Sequence, residues 1–221
     1  MIKKIELEIN SVCNLSRIPV NILNNPIREA ICSNDICETL TNYYENITYK
    51  NLNDLYKTNI KKLNNLSHTT IFLPWYHKNP VMQFEDYAFI TRISKEKIKE
   101  KEIKINNILN SIKENGYKPN KFIDRKLGYI TGYFLKSKEN KKFYVVSGNH
   151  RVAILHSLGF KKVPALIEST KFFKSRDKVE FGYKNMPEFI ERKNVNNWPA
   201  VMSNFLKTNE ALEIFDSFFG E

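Results

Sequence analysis

The nine residues Phe143-Tyr144-Val145-Val146-Ser147-Gly148-Asn149-His150-Arg151 constrain this chain more than any other stretch. An apolar run rich in β-branched and aromatic residues ends on Ser-Gly and passes at once into Val152-Ala153-Ile154-Leu155. After Gly159 comes a second extended run, Val163-Pro164-Ala165-Leu166-Ile167. The order is strand, tight turn, short helix, strand, which predicts an α/β unit. A glycine at such a turn lets the backbone approach a ligand closely. The exposed N–H groups and positive dipole end of a helix starting near Asn149 form an anion site. His150 and Arg151 add donors on the first turn, and a guanidinium can grip a phosphate through two parallel hydrogen bonds. A plainer reading of the same residues has Ser147 and Asn149 capping the helix and Arg151 paired with a surface carboxylate.

The flanking patterns extend this unit. Residues 87–93 read as a strand, and residues 98–115 as a helix whose Ile105, Ile108, Leu109 and Ile112 recur at i, i+3, i+4 and i+7. Gly116 closes that helix as a left-handed residue. Residues 119–123 begin another extended segment, and residues 128–135 and 142–147 read as strands joined by the polar turn 136–141. Residues 1–86 form a mostly helical N-terminal extension, with Leu52, Leu55, Tyr56, Ile60, Leu63 and Leu66 near the helical period. Trp75 and Tyr76 follow Pro74 and pack between that extension and the core, with substrate contact as the other reading. Residues 169–221 are a C-terminal extension, with a Trp198-Pro199 turn and then an amphipathic helix over 208–219 capped by Thr208. Its phenylalanines pack on the core, or else leave an apolar patch for a homodimer.

Composition narrows the function classes. The 221 residues are 42% hydrophobic and carry few glycines and prolines, which suits one compact core and excludes disordered or collagen-like architectures. No apolar run is long enough to cross a bilayer, and the first ten residues lack an apolar leader, so a cytoplasmic protein without a membrane partner is expected. Cys13, Cys32 and Cys37 form no C-x-x-C pair, and the histidines do not fall at zinc-site spacing beside them. They read as reduced, structural thiols. A net charge of +11 permits a polyanionic partner. Only seven of the 35 basic residues are arginines, however, and no DNA-reading module is present, so DNA is possible but not favoured.

The order of elements resembles the ParB/sulfiredoxin superfamily. The likeness rests on Ser111 to Gly116, Lys118-Pro119, the Ser147-Gly148-Asn149-His150-Arg151 turn, Leu158-Gly159 and Val163 to Ile167, and it spans residues 87–168. It implies a mixed sheet with flanking helices that binds a nucleotide. Ser147, Gly148, Asn149, His150 and Arg151 would then lie on the phosphates, with Lys118 and Pro119 near the nucleotide. Sulfiredoxins carry a catalytic cysteine where this chain has Asn149, which removes their sulfinic-acid chemistry. ParB proteins place two arginines at the motif's end and continue into a helix-turn-helix domain. Here His150 takes the first of those positions, and no recognition helix follows. The free-serine kinases match Gly-x-His-Arg best, although their aspartate before the glycine is Ser147 here.

The resemblance implies ATP, ADP or CTP with Mg²⁺, used for phosphoryl transfer to a small hydroxyl-bearing acceptor, or else a nucleotide hydrolase. In the kinase pattern a glutamate beside the start of the long helix is catalytic, for which Glu96, Glu100 and Glu102 are the candidates. A plain helix-dipole role is the alternative reading of those three. Glu85 and Asp86 are a second carboxylate pair. The rival function is a non-catalytic, nucleotide-gated or DNA-associated interaction protein.

Overall fold

The computed structural model describes residues 2–16, 18–33, 35–67, 70–82, 91–119, 128–168 and 188–220. The chain opens on a strand, β1 (Ile2–Glu8), in which Ile5 and Leu7 turn inward and Lys4, Glu6 and Glu8 outward at period two. The two-residue strands β2 (Asn14–Leu15) and β3 (Ile18–Pro19) pair with each other. Three helices follow: α1 (Pro26–Cys32), α2 (Ile36–Glu45) and α3 (Leu52–Tyr56). Each starts on a polar cap, with Asn25, Asp35 and Asn51 accepting from first-turn amides. A short ladder of β4 (Thr70–Ile71) and β5 (Val81–Met82) precedes the long helix α4 (Lys95–Asn115). Ser94 caps α4, and Gly116 closes it at φ 71°.

The remaining elements are β6 (Ile130–Ser137), β7 (Asn140–Ser147), α5 (Asn149–Ser157), β8 (Lys162–Glu168), β9 (Phe189–Glu191), α6 (Pro199–Met202) and α7 (Thr208–Asp216). The main sheet runs β1-β8-β6-β7, with β9 also on β6. β1 pairs antiparallel with β8, and β6 antiparallel with β7, whereas β8 and β9 both lie parallel to β6. The protein is therefore a mixed α/β structure with a mixed sheet and flanking helices. α1, α2, α4 and α5 pack on one another, and α5 on β6.

Three local expectations are revised. The N-terminal segment is not mostly helical: among the described residues it holds five strands beside three short helices, and its first strand completes the main sheet through pairs such as Ile5 with Ala165. The helix expected from Leu52 to Leu66 stops at Tyr56, with Lys57 left-handed at φ 52°. The side chain of Asn53 ends it, accepting from the Ile60 amide at 3.1 Å and donating to the Ile60 carbonyl at 2.9 Å. The apolar positions through Leu63 stay buried, with Leu66 half-buried, but across a turn. Thr208 is the first helical residue of α7 rather than its cap, and its hydroxyl bonds Asn196 Oδ1 at 3.0 Å. The expected strand over residues 87–93 lies largely outside the described residues, its last three residues being loop, and most of the segment from Pro119 to Ile123 also lies outside them.

Trp75 sits at the centre of an aromatic cluster. Its ring meets Tyr144, Trp198, Phe215 and Phe218 edge-on, and its indole N–H donates to the Tyr133 hydroxyl at 3.1 Å. With Trp75 fully enclosed, the packing reading holds for it, and Tyr76 is buried against Tyr133. The same cluster absorbs the C-terminal helix. Phe215 and Phe218 are buried, so the apolar patch that would have motivated a homodimer is used within the chain. Arg192 fastens the end of α7 by a two-pronged bond to Asp216, at 2.9 and 2.8 Å.

Candidate functional site

β7 delivers the chain into the Ser147-Gly148 turn, and Gly148, at φ 99° and ψ 18°, launches α5. A Cβ at this position would stand 3.0 Å from Ile130 Cα and 3.2 Å from its Cγ1, so only glycine both adopts this conformation and fits against β6. The first bond of the helix runs from the Val152 amide to the Gly148 carbonyl at 3.0 Å. The amides of Asn149, His150 and Arg151 precede that bond and point out of the helix end. No side chain caps α5, so the capping roles considered for Ser147 and Asn149 are not adopted. Asn149 Oδ1 and Thr131 Oγ1 are enclosed without a hydrogen-bond partner, and Thr131 stands directly opposite Ser147 in the β6–β7 register.

The cations around this helix end come from two elements. α4 packs on α5, and Lys97, Lys101 and Lys104, at i, i+4 and i+7, share one of its faces. Burial pushes the Lys101 ammonium down to about 8, with Lys104 and Lys97 adding to the effect. His150 is held at about 3, first by burial and then by Lys104, Lys101 and Arg151. Its ring is therefore neutral at pH 7. Arg151 is half-buried, and no described carboxylate forms an ion pair with it. Tyr117, just past α4, donates to the Gly128 carbonyl at 2.9 Å. Burial pushes its hydroxyl up to about 12 against the opposing influence of Arg151. Lys118 and Pro119 follow Tyr117 directly, which brings the two ends of the expected nucleotide set into one neighbourhood.

The expected carboxylates all lie on α4. Glu96 and Glu100 are exposed, and Glu102 is half-buried. At about 100° per residue Glu102 diverges from the lysines, whereas Glu100 stands one turn before Lys104 and within about 40° of it. Glu96 serves the start of α4: its own backbone amide and the Ser94 hydroxyl hold its carboxyl below the usual carboxylate range. Glu85 and Asp86 lie outside the described residues. Among the described residues no group of three or more His, Cys, Asp or Glu side chains is placed to hold a metal ion.

Other features are set apart from the turn. Burial pushes the Cys13 thiol far up, and its Sγ donates to the Phe143 carbonyl at 3.5 Å, as suits a packed, unreactive thiol. Cys32 is exposed and Cys37 half-buried, and all three are free. A cleft of about 870 Å³ is lined by residues that include Tyr43, Tyr49, Lys57, Lys142, Glu213 and Asp216. Among the described residues no helix is long and apolar enough to cross a membrane.

Sequence reasoning found the turn but missed Lys97, Lys101 and Lys104. Their 97/101/104 spacing was visible, yet on a lysine-rich chain it reads as solvated surface until α5 is seen beside it. Compared with protein-family models, curated proteins and solved structures, the chain matches none.

Proposed function

We propose that this protein has a ParB/sulfiredoxin-like core and binds a nucleotide, ATP, ADP or CTP, with its phosphates at the start of α5. The observation that carries the reading is the convergence of outward amides on a left-handed glycine turn with the cations Lys101, Lys104 and Arg151. Dipole, amides and side-chain charges all favour the same sign of ligand there. A neutral His150 offers one ring donor without adding charge. The order α4, Gly116, the β6–β7 hairpin, Gly148, α5 and β8 supports the superfamily assignment.

Phosphoryl transfer to a small hydroxyl-bearing acceptor needs a group that orients the attacking oxygen and takes its proton. On α4 Glu102 diverges from Lys101 and Lys104, whereas Glu100 stands one turn before Lys104 and remains the carboxylate of the kinase reading; the second reading is a nucleotide-gated interaction protein without transfer chemistry. The two readings share the binding step. The test is thermal stability with Mg²⁺ and each of ATP, ADP, CTP and GTP, for wild type and Arg151→Ala, followed by nucleotide turnover with and without a panel of small alcohols. A ligand at a hundred times its dissociation constant stabilises the fold by about 2.7 kcal/mol. A shift lost in the variant supports the binding site, and acceptor-dependent turnover restores the kinase. Absence of any nucleotide shift overturns the proposal.

A further inference from the structure

The first strand, β1, is an end strand of the main sheet, and among the described residues it pairs with β8 alone. We infer that two copies of the chain join along this edge, β1 against β1, in the antiparallel register centred on Ile5. The Ile9 amide donates to the Lys161 carbonyl at 3.0 Å, and the β1–β8 register continues that ladder through Leu7 with Val163 and Ile5 with Ala165. In an antiparallel pair bonded residues alternate with unbonded ones, so the amides and carbonyls of Lys4, Glu6 and Glu8 point away from β8. The opposite edge of the sheet is closed within the chain. There Asn14 takes both backbone groups of Val145, and the Cys13 amide donates to the Phe143 carbonyl at 3.2 Å.

An open edge is a template for another strand, and edge charges ordinarily repel that strand. In β1, Ile-Lys-Lys-Ile-Glu-Leu-Glu, the charges instead complement themselves. A two-fold axis at Ile5 sets Lys4 of each copy opposite Glu6 of the other, so the favourable pair occurs twice. The same axis brings outward backbone groups into bonding pairs, residue 4 with residue 6 and residue 2 with residue 8. Sliding one strand by two residues, the smallest step that keeps outward groups paired, puts Lys4 against Lys4 or Glu6 against Glu6, which is repulsive. Lys4 and Glu6 are both exposed, and neither takes part in a salt bridge among the described residues. Ile5 is left half-buried by the single chain while Leu7 and Ile9 are enclosed. On the axis it meets its own copy as an unbonded pair, where facing side chains lie closest.

The test is sedimentation velocity over a range of protein concentrations at low salt, on wild type, Lys4→Glu, Glu6→Lys and an equimolar mixture of the two variants. Both positions are exposed, so the variants keep the fold, which circular dichroism checks. Wild type is expected to form a dimer that weakens in high salt, because exposed charge pairs are screened. Each variant alone sets like charges against one another in both 4–6 pairs and should raise the dissociation constant by about tenfold or more. In the mixture the charges of each chain match those of the other, and the dimer should return as a heterodimer. A wild type that stays monomeric overturns the proposal and leaves the edge to a strand of another protein. Variants that dimerise as wild type does, or a mixture no tighter than either variant alone, overturn the β1 register.

Discussion

Asn14 holds both backbone polar groups of Val145: its Nδ2 donates to the carbonyl at 3.0 Å, and its Oδ1 accepts from the amide at 2.6 Å. β7 is the last strand of the main sheet, so these groups would otherwise be unpaired on an edge. Asn14 thus acts as one residue of a missing neighbour strand, next to the Val12–Phe143 bridge. Because both partners are buried, Asn14→Leu should cost roughly 2–4 kcal/mol in urea unfolding, the penalty for leaving two backbone groups unsatisfied. A loss below about 0.5 kcal/mol, the range of ordinary surface changes, would show that water replaces the side chain.

Gly148→Ala forces a left-handed alanine against Ile130. The expected cost is about 1–3 kcal/mol, with loss of the nucleotide-induced thermal shift because the turn can no longer keep its amides in place. The argument is wrong if the variant equals wild type in chemical denaturation.

His150 gives the fold a pH dependence. Its folded value of about 3 lies below the ordinary 6.5, so between these limits the unfolded chain takes up a proton that the native state resists. The stability is therefore full above about pH 6.5 and drains away as the pH falls towards 3, with a slope of at most about 1.4 kcal/mol per pH unit. Burial sets this value first, and Lys104 and Lys101 from α4 and Arg151 from α5 lower it further, while Arg28 of α1 donates to His156 at 3.1 Å. Acid denaturation of wild type and His150→Gln should diverge below pH 6, with wild type losing stability faster. Parallel curves would place the imidazole in water.

Phe218 is 3% exposed and lies 5.6 Å from the Trp75 ring and 5.5 Å from that of Tyr144. Phe218→Ala should cost about 3–5 kcal/mol by transfer and cavity formation. Met202→Ala, at a position 69% exposed, should stay within about 0.5 kcal/mol. Guanidinium titrations of the pair measure both, and equal values would mean that the C-terminal helix does not belong to the core.

What could be read along the chain was local. The α4 helix and its Gly116 stop, the β6–β7 hairpin and the Gly148 launch of α5 each follow from neighbouring residues, because propensity, period and turn chemistry act over a few positions. The break after Tyr56 was less visible, since the apolar spacing continues through it and only the folded-back bonds of Asn53 end the helix. β1 carried a period-two pattern from the start, yet its charged outer face and distant partner left it unassigned until Ile5 was paired with Ala165.

The sequence alone determined the turn, because a glycine with no Cβ, two donors on the first helical turn and an apolar strand before them need no distant partner to take effect. The tertiary structure decided what surrounds that turn. Lys101 and Lys104 reach His150 only because α4 packs on α5, and Glu102 diverges from those lysines because the buried face of the helix fixes its rotation. Electrostatic work depends on distance and burial, and both are properties of packing that no run of residues contains.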